Sequence, residues 1–124
     1  LLGGALRSGI DAVLDAVGFD AALAGADLVI TGEGRVDSQS VDGKVISGVA
    51  ARTREKGVPL VVIAGGIDDS AAAAYELGVS AMFSTDRAAL SVDKLAGRTA
   101  ADYEATLRDV LRLVRIAEDI GRRT

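Results

Sequence analysis

The stretch Asp27-Leu28-Val29-Ile30-Thr31-Gly32-Glu33-Gly34-Arg35-Val36-Asp37-Ser38-Gln39-Ser40 decides how the chain is read. Its opening, Asp27 to Thr31, is a short continuous apolar run, rich in β-branched residues and bounded by glycine. That pattern predicts a strand buried on both faces rather than one with a wet side. The segment after it, Gly32 to Gly43, reads as a long loop dense in polar groups. Structureless loops of this length are uncommon in compact domains and are often functional.

Working outward, the same alternation of apolar runs and helical periods recurs. Upstream, Ile10, Val13, Leu14 and Val17 fall on one face of a helix that Ser8 caps and Gly18 stops. Asp20 caps a second, short helix ending near Gly25. Downstream, a helix resumes near Lys44, carries Val45, Ile46, Val49, Ala50 and Thr53 along one side, and ends at Lys56-Gly57. Pro59 opens a second apolar strand, Leu60 to Ala64, which Gly65-Gly66 breaks. Asp68 or Asp69 caps an alanine-rich helix that stops at Gly78. Val79 to Ser84 is a third strand, and Thr85 to Leu95 a turn with one short helix. Thr99 and Asp102 resemble a capping box for the last helix, whose stripe runs through Tyr103, Leu107, Val110, Val114 and Ala117. A coiled coil is the sharper reading of that stripe, but it lasts only about three heptads, so a helix packed on a sheet is preferred. Three apolar strands alternating with helices predict one α/β domain over residues 1–124. It is a three-layer sandwich with a parallel sheet and right-handed crossovers.

Composition narrows the chemistry. The chain has 124 residues with no Cys and no His. Thiolate nucleophiles, disulfides, Cys-based zinc sites and the Ser-His-Asp triad are therefore excluded. Catalysis would have to run on carboxylates, Lys, Arg, hydroxyls, backbone dipoles or an oxygen-bound metal. Aromatic residues are 3% and the net charge is −4, so nucleic acid and anionic membrane are not expected as partners. No segment reaches the roughly 20 apolar residues of a membrane helix. No charged leader precedes an apolar run, so no signal peptide is expected and a cytoplasmic location is. The start inside an apolar phrase, Leu1-Leu2-Gly3-Gly4, suggests a piece of something longer.

In open parallel sheets, ligands bind at the carboxyl ends of the strands, which directs attention to the segments after Thr31 and after Ala64. Gly32-Glu33-Gly34-Arg35-Val36-Asp37 lacks the third glycine of a dinucleotide fingerprint. Gly43-Lys44 lacks both the upstream glycine and the following Ser or Thr of a P-loop, and both motifs are rejected. A charged, glycine-punctuated segment running into a helix start remains. Free N–H groups at that start favour an anion, Lys44 adds a point charge, and Arg35 adds a fork suited to carboxylate or phosphate. Glu33 and Asp37 are hard oxygen ligands for Mg²⁺, or one of them is a base. Gln39 and Ser40 can orient a hydroxyl or phosphate oxygen. The combination suits phosphoryl transfer, which depends on positioning and electrostatics. The competing reading is a solvated loop with internal salt bridges.

The run Ala26 to Ser40, with Gly43-Lys44, Gly48-Val49-Ala50, Gly57-Val58-Pro59 and Ala64-Gly65, resembles the bacterial glycerate kinase family. The likeness covers nearly the whole chain and corresponds to that family's C-terminal portion. One departure is Ile46, where the family often has a proline. Family members are much longer, and their Asp-Ser-Phe-Lys-Gly and Ala-Asp-Gly-Gly-Glu-Gly-Thr segments do not occur here. The resemblance implies a Rossmann- or flavodoxin-like domain of a two-domain kinase, with this chain as one wall of a cleft and the N-terminal part of the parent as its partner. The implied activity is ATP- and Mg²⁺-dependent phosphorylation of D-glycerate to a phosphoglycerate, with the isolated chain inactive. Asp37 and Arg35 are expected to be catalytic. Thr31, Gly32, Glu33, Gly34, Gln39, Ser40 and Lys44 are expected to bind substrate or phosphate, and Asp37 and Glu33 to hold the metal. The alternative is a non-catalytic α/β ligand-binding or interaction module.

Overall fold

Residues 8–42 and 45–124 are described by a computed structural model of the chain. Ser8 accepts from the Asp11 N–H and starts helix α1, Gly9–Ala16, which is followed by α2, Phe19–Leu23. Strand β1 spans Val29–Val36, and a 3₁₀ turn, Ser38–Val41, leads toward α3, Val45–Lys56. Strand β2 covers Leu60–Ile67, and a 3₁₀ turn, Asp69–Ala73, runs into α4, Ala74–Leu77. Strand β3, Ala81–Ser84, precedes α5, Val92–Ala96, and the long α6, Thr99–Arg123. The expected glycine stops hold: Gly18, Gly57 and Gly78 adopt left-handed φ of 70°, 69° and 113°, a conformation that costs glycine little.

Among the described residues the three strands form one sheet in the order β1-β2-β3, with both pairings parallel. The central strand has no solvent face, which is why its sequence is uninterruptedly apolar. Leu60, Val62 and Ala64 join Leu14 of α1, Ile46, Val49 and Ala50 of α3, and Ala74 of α4 in one core. Val61 and Ile63 face the opposite way and meet Val110, Tyr103 and Leu107 of α6. The expected three layers are thus present. The α6 stripe packs on the sheet through its first half, while Leu111, Leu113, Ile116 and Ile120 beyond it are exposed. Arg52 of α3 clamps the first layer: Nη1 lies 2.7 Å from Asp15 and 3.3 Å from Asp20, and Nη2 lies 3.3 Å from Asp11.

Two differences from expectation concern the carboxyl edge. The segment from Gly32 is not loop, because β1 continues to Val36. Gly65-Gly66 does not break β2, which runs on to Ile67. The extensions pair with each other, Glu33 opposite Ala64, Arg35 opposite Gly66 and Val36 opposite Ile67. Val29 and Val36 lie an odd number of residues apart yet contribute to the same core, as do Leu60 and Ile67. Strict alternation forbids that, so both strands shift face midway. The shift falls at Gly34 and Gly65, where a Cβ on Gly65 would sit 2.8 Å from the Gly34 carbonyl oxygen. No side chain fits there. The start of α6 also differs. Arg98 is its N-cap and makes no side-chain cap bond. The Thr99 hydroxyl donates to the Ala96 carbonyl, and Asp102 accepts from Arg98 at 3.1 Å, so an ion pair replaces the expected capping box.

Candidate active site

Because all strands run parallel, β1 and β2 deliver their ends to one edge, as expected. The last turn of β1 carries Glu33 and Arg35. The 3₁₀ turn after it carries Gln39 and Ser40, and α3 begins with Val45 and Ile46. Together with Asp37 these residues line a hollow of about 240 Å³. Five of the expected site residues are thereby brought together: Glu33, Arg35, Asp37, Gln39 and Ser40. Thr31 and Gly32 are not among the lining residues. Thr31 pairs with Val62 in mid-strand. Gly32 lies under Tyr103, whose hydroxyl oxygen would be 2.7 Å from a Cβ placed there. Gly34 is not among the lining residues either. Lys44 and Gly43 lie outside the described residues.

Asp37 shapes the turn. Its Oδ1 accepts from the backbone N–H of Gln39 at 2.9 Å and of Ser40 at 3.1 Å, while the Ser40 hydroxyl accepts from the Asp37 N–H at 3.2 Å. This reciprocal box satisfies N–H groups that a short helix leaves orphaned. The Ser38 N–H donates to the Ser70 hydroxyl at 3.1 Å, tying the turn to the segment after β2. Asp37 and Ser40 thus hold the turn through hydrogen bonds, not through the internal salt bridges of the competing reading. Asp37 Oδ2 has no hydrogen-bond partner among the described residues and is the oxygen left for a ligand.

Arg35 is held from across the edge. Its Nη2 donates to both oxygens of Asp68, at 2.7 and 2.8 Å. That bond, and the charge of Asp68, raise the Arg35 pKa further above its already high value, so the guanidinium is charged at any working pH. The pair is largely exposed and contributes little stability. Its consequence is geometric: one nitrogen is engaged, and Nη1 and Nε remain for a ligand anion. Asp68 was expected only to cap a helix, yet it makes no side-chain cap bond. Sequence reasoning missed its role because the partner lies 33 positions away. The Gly65-Gly66 pair just ahead of it was the one available hint.

Partial burial pushes the Glu33 carboxyl above its ordinary range, which a nearby cation would reverse. Among the described residues no group of three or more carboxylates could hold a metal. Mg²⁺ retains several waters and is usually bound by one or two carboxylates together with substrate phosphates. Glu33 and Asp37 Oδ2 fit that donor set.

Comparison with known proteins bears on the family and the fold. The model of the glycerate kinase family matches residues 1–115. The glycerate kinase of Bacillus subtilis (strain 168) is 42% identical over 113 residues, covering 91% of this chain and 30% of that protein. The glycerate 2-kinase of Escherichia coli (strain K12) is 42% identical over 83 residues, 67% of this chain and 22% of that protein. A crystal structure described as a glycerate kinase 2 from Salmonella typhimurium LT2 superimposes with a TM-score of 0.69 at 35% identity, covering 94% of this chain and 29% of that one. The chain therefore spans less than a third of the length of these relatives.

Proposed function

The chain belongs to the glycerate kinase family, and on that premise we propose that it forms one wall of a cleft in which D-glycerate is phosphorylated by ATP to a phosphoglycerate. The observation that carries the proposal is the state of Arg35. It is fixed by Asp68 through one nitrogen and has free donors at a hollow that it shares with two carboxylates. A planar, permanently charged fork is suited to a carboxylate or a phosphoryl group.

In this reading Arg35 holds the glycerate carboxylate or the transferring phosphoryl group. Gln39, whose side chain is exposed on the turn, orients a substrate hydroxyl. The hydroxyl oxygen of glycerate forms the new bond to the γ-phosphorus while the bond to the ADP oxygen breaks and the hydroxyl proton is released to solvent. Mg²⁺, held by Glu33 and Asp37, would supply charge neutralisation on the phosphates. Lys44 remains a proposed phosphate contact at the α3 start.

The relatives' remaining two thirds would supply the opposite wall. A cleft with one wall cannot align two substrates, and alignment supplies most of the rate in such a reaction. A coupled assay tests this directly. The full-length protein should release ADP only when D-glycerate is present, and these 124 residues alone should not. Turnover by the isolated chain would overturn the one-wall reading, and a full-length protein that binds D-glycerate without turnover would favour the non-catalytic alternative.

A further inference from the structure

The mechanism above leaves a second hollow unused. Gly65 of β2, Thr85 and Asp86 after β3, Leu95 of α5, and Thr99 and Asp102 of α6 enclose about 90 Å³. Thr85 and Asp102 are each only 6% exposed. The Thr85 N–H donates to the Ala64 carbonyl at 2.8 Å, but its hydroxyl has no hydrogen-bond partner among the described residues. No described side-chain oxygen is both sealed from solvent and unpaired, so the Thr85 hydroxyl keeps some access, and Thr85 lines this hollow.

The charges around it select the ligand. Asp86 and Asp102 present carboxylate oxygens, and the nearby cation, Arg98, is already engaged by Asp102 Oδ1. Such a lining accepts hydrogen bonds from hydroxyls and repels anions. D-Glycerate carries its hydroxyls within a few bonds of its own carboxylate and does not suit it. A sugar does, since it is uncharged and set apart from the phosphates it bears. Gly65 lines this hollow, and its neighbour Gly66 pairs with Arg35, which lines the first; this glycine ledge has no side chains, so main chain can approach a phosphate chain closely there.

We infer that the hollow between Thr85, Asp86 and Asp102 receives the sugar hydroxyls of the nucleotide donor, with its phosphates lying over the glycine ledge toward Arg35. This rests on the reading that the donor is a nucleoside triphosphate. Calorimetric titration of the full-length protein with ADP, and separately with inorganic pyrophosphate, tests it. Thr85→Val should weaken ADP about 5- to 10-fold, the loss of one hydrogen bond, with pyrophosphate and D-glycerate affinities unchanged. Thr85→Ser, which keeps the hydroxyl, should bind ADP normally. The exposed Asp86 offers a variant safe for folding, and Asp86→Ala should show the same selective loss even if Thr85→Val does not fold. ADP affinity unchanged in the folded variants, or an equal loss for pyrophosphate, overturns the subsite. Failure of the unaltered protein to bind ADP at all overturns the nucleotide reading and the subsite with it.

Discussion

Asp37 shows how one residue can carry two duties on two oxygens. Oδ1 caps the turn through Gln39 and Ser40, and in the proposed reading Oδ2 serves the reaction. The duties separate by substitution. Asn keeps a capping oxygen and removes the charge. Asp37→Asn should therefore melt within a degree or so of the unaltered protein while losing about 10²-fold or more in kcat. Asp37→Ala should lose a comparable amount of activity and about 1 kcal/mol of stability as well. Thermal melts beside steady-state kinetics read both. Glu33 makes a prediction about pH. Burial raises its pKa in the fold above the unfolded value, so its contribution to stability is greatest below the ordinary glutamate range and is lost as pH rises through the raised value. Glu33→Gln should accordingly raise Tm at pH 7 and leave it unchanged at about pH 3 or below, where the glutamate is neutral in both states. Melts across pH that show no gain at pH 7 would contradict the burial of that carboxyl.

At the scale of elements, the strand cores were legible because burial on both faces writes itself as uninterrupted Val, Ile and Leu, as in Leu60 to Ile63. The helix stops at Gly18, Gly57 and Gly78 were legible for an equally local reason, the cost of left-handed backbone to any other residue. The carboxyl half of β1 was not. Gly32-Glu33-Gly34-Arg35 has the composition of a loop, and it becomes strand only because β2 offers main-chain partners across the sheet. Tertiary pairing overrides local preference here. The same limit hid Asp68, whose partner is remote in sequence, and misread Thr99 and Asp102, where the ion pair to Arg98 won over a cap. The paired glycines suggest a direct check. Gly65→Ala forces a methyl group to 2.8 Å from the Gly34 carbonyl, which must move strand from strand. The variant should lose about 1–3 kcal/mol in denaturant titration, whereas Gly34→Ala, with nothing within 4 Å of its Cβ, should lose less.

For the whole molecule, parallel topology does the work of assembly. It collects the ends of three strands at one edge and sorts their chemistry. The β1 side gathers Arg35, Asp37 and Glu33, and the β2–β3 side gathers Thr85, Asp86 and Asp102, with glycine between. The sequence identified most of the first group because charged residues clustered within one short segment. It passed over the second because Thr85, Asp86 and Asp102 are drawn from two separate segments that only the fold brings together. The central claim is that the first group binds and activates the substrates of glycerate phosphorylation. The most direct measurement is D-glycerate-dependent ADP release by the full-length protein carrying Arg35→Lys. A lysine retains the charge but not the fork, and with Asp68 beside it has no second nitrogen to offer. A folded Arg35→Lys protein is predicted to lose at least about tenfold in kcat/KM for D-glycerate. Turnover at the level of the unaltered protein would contradict the account.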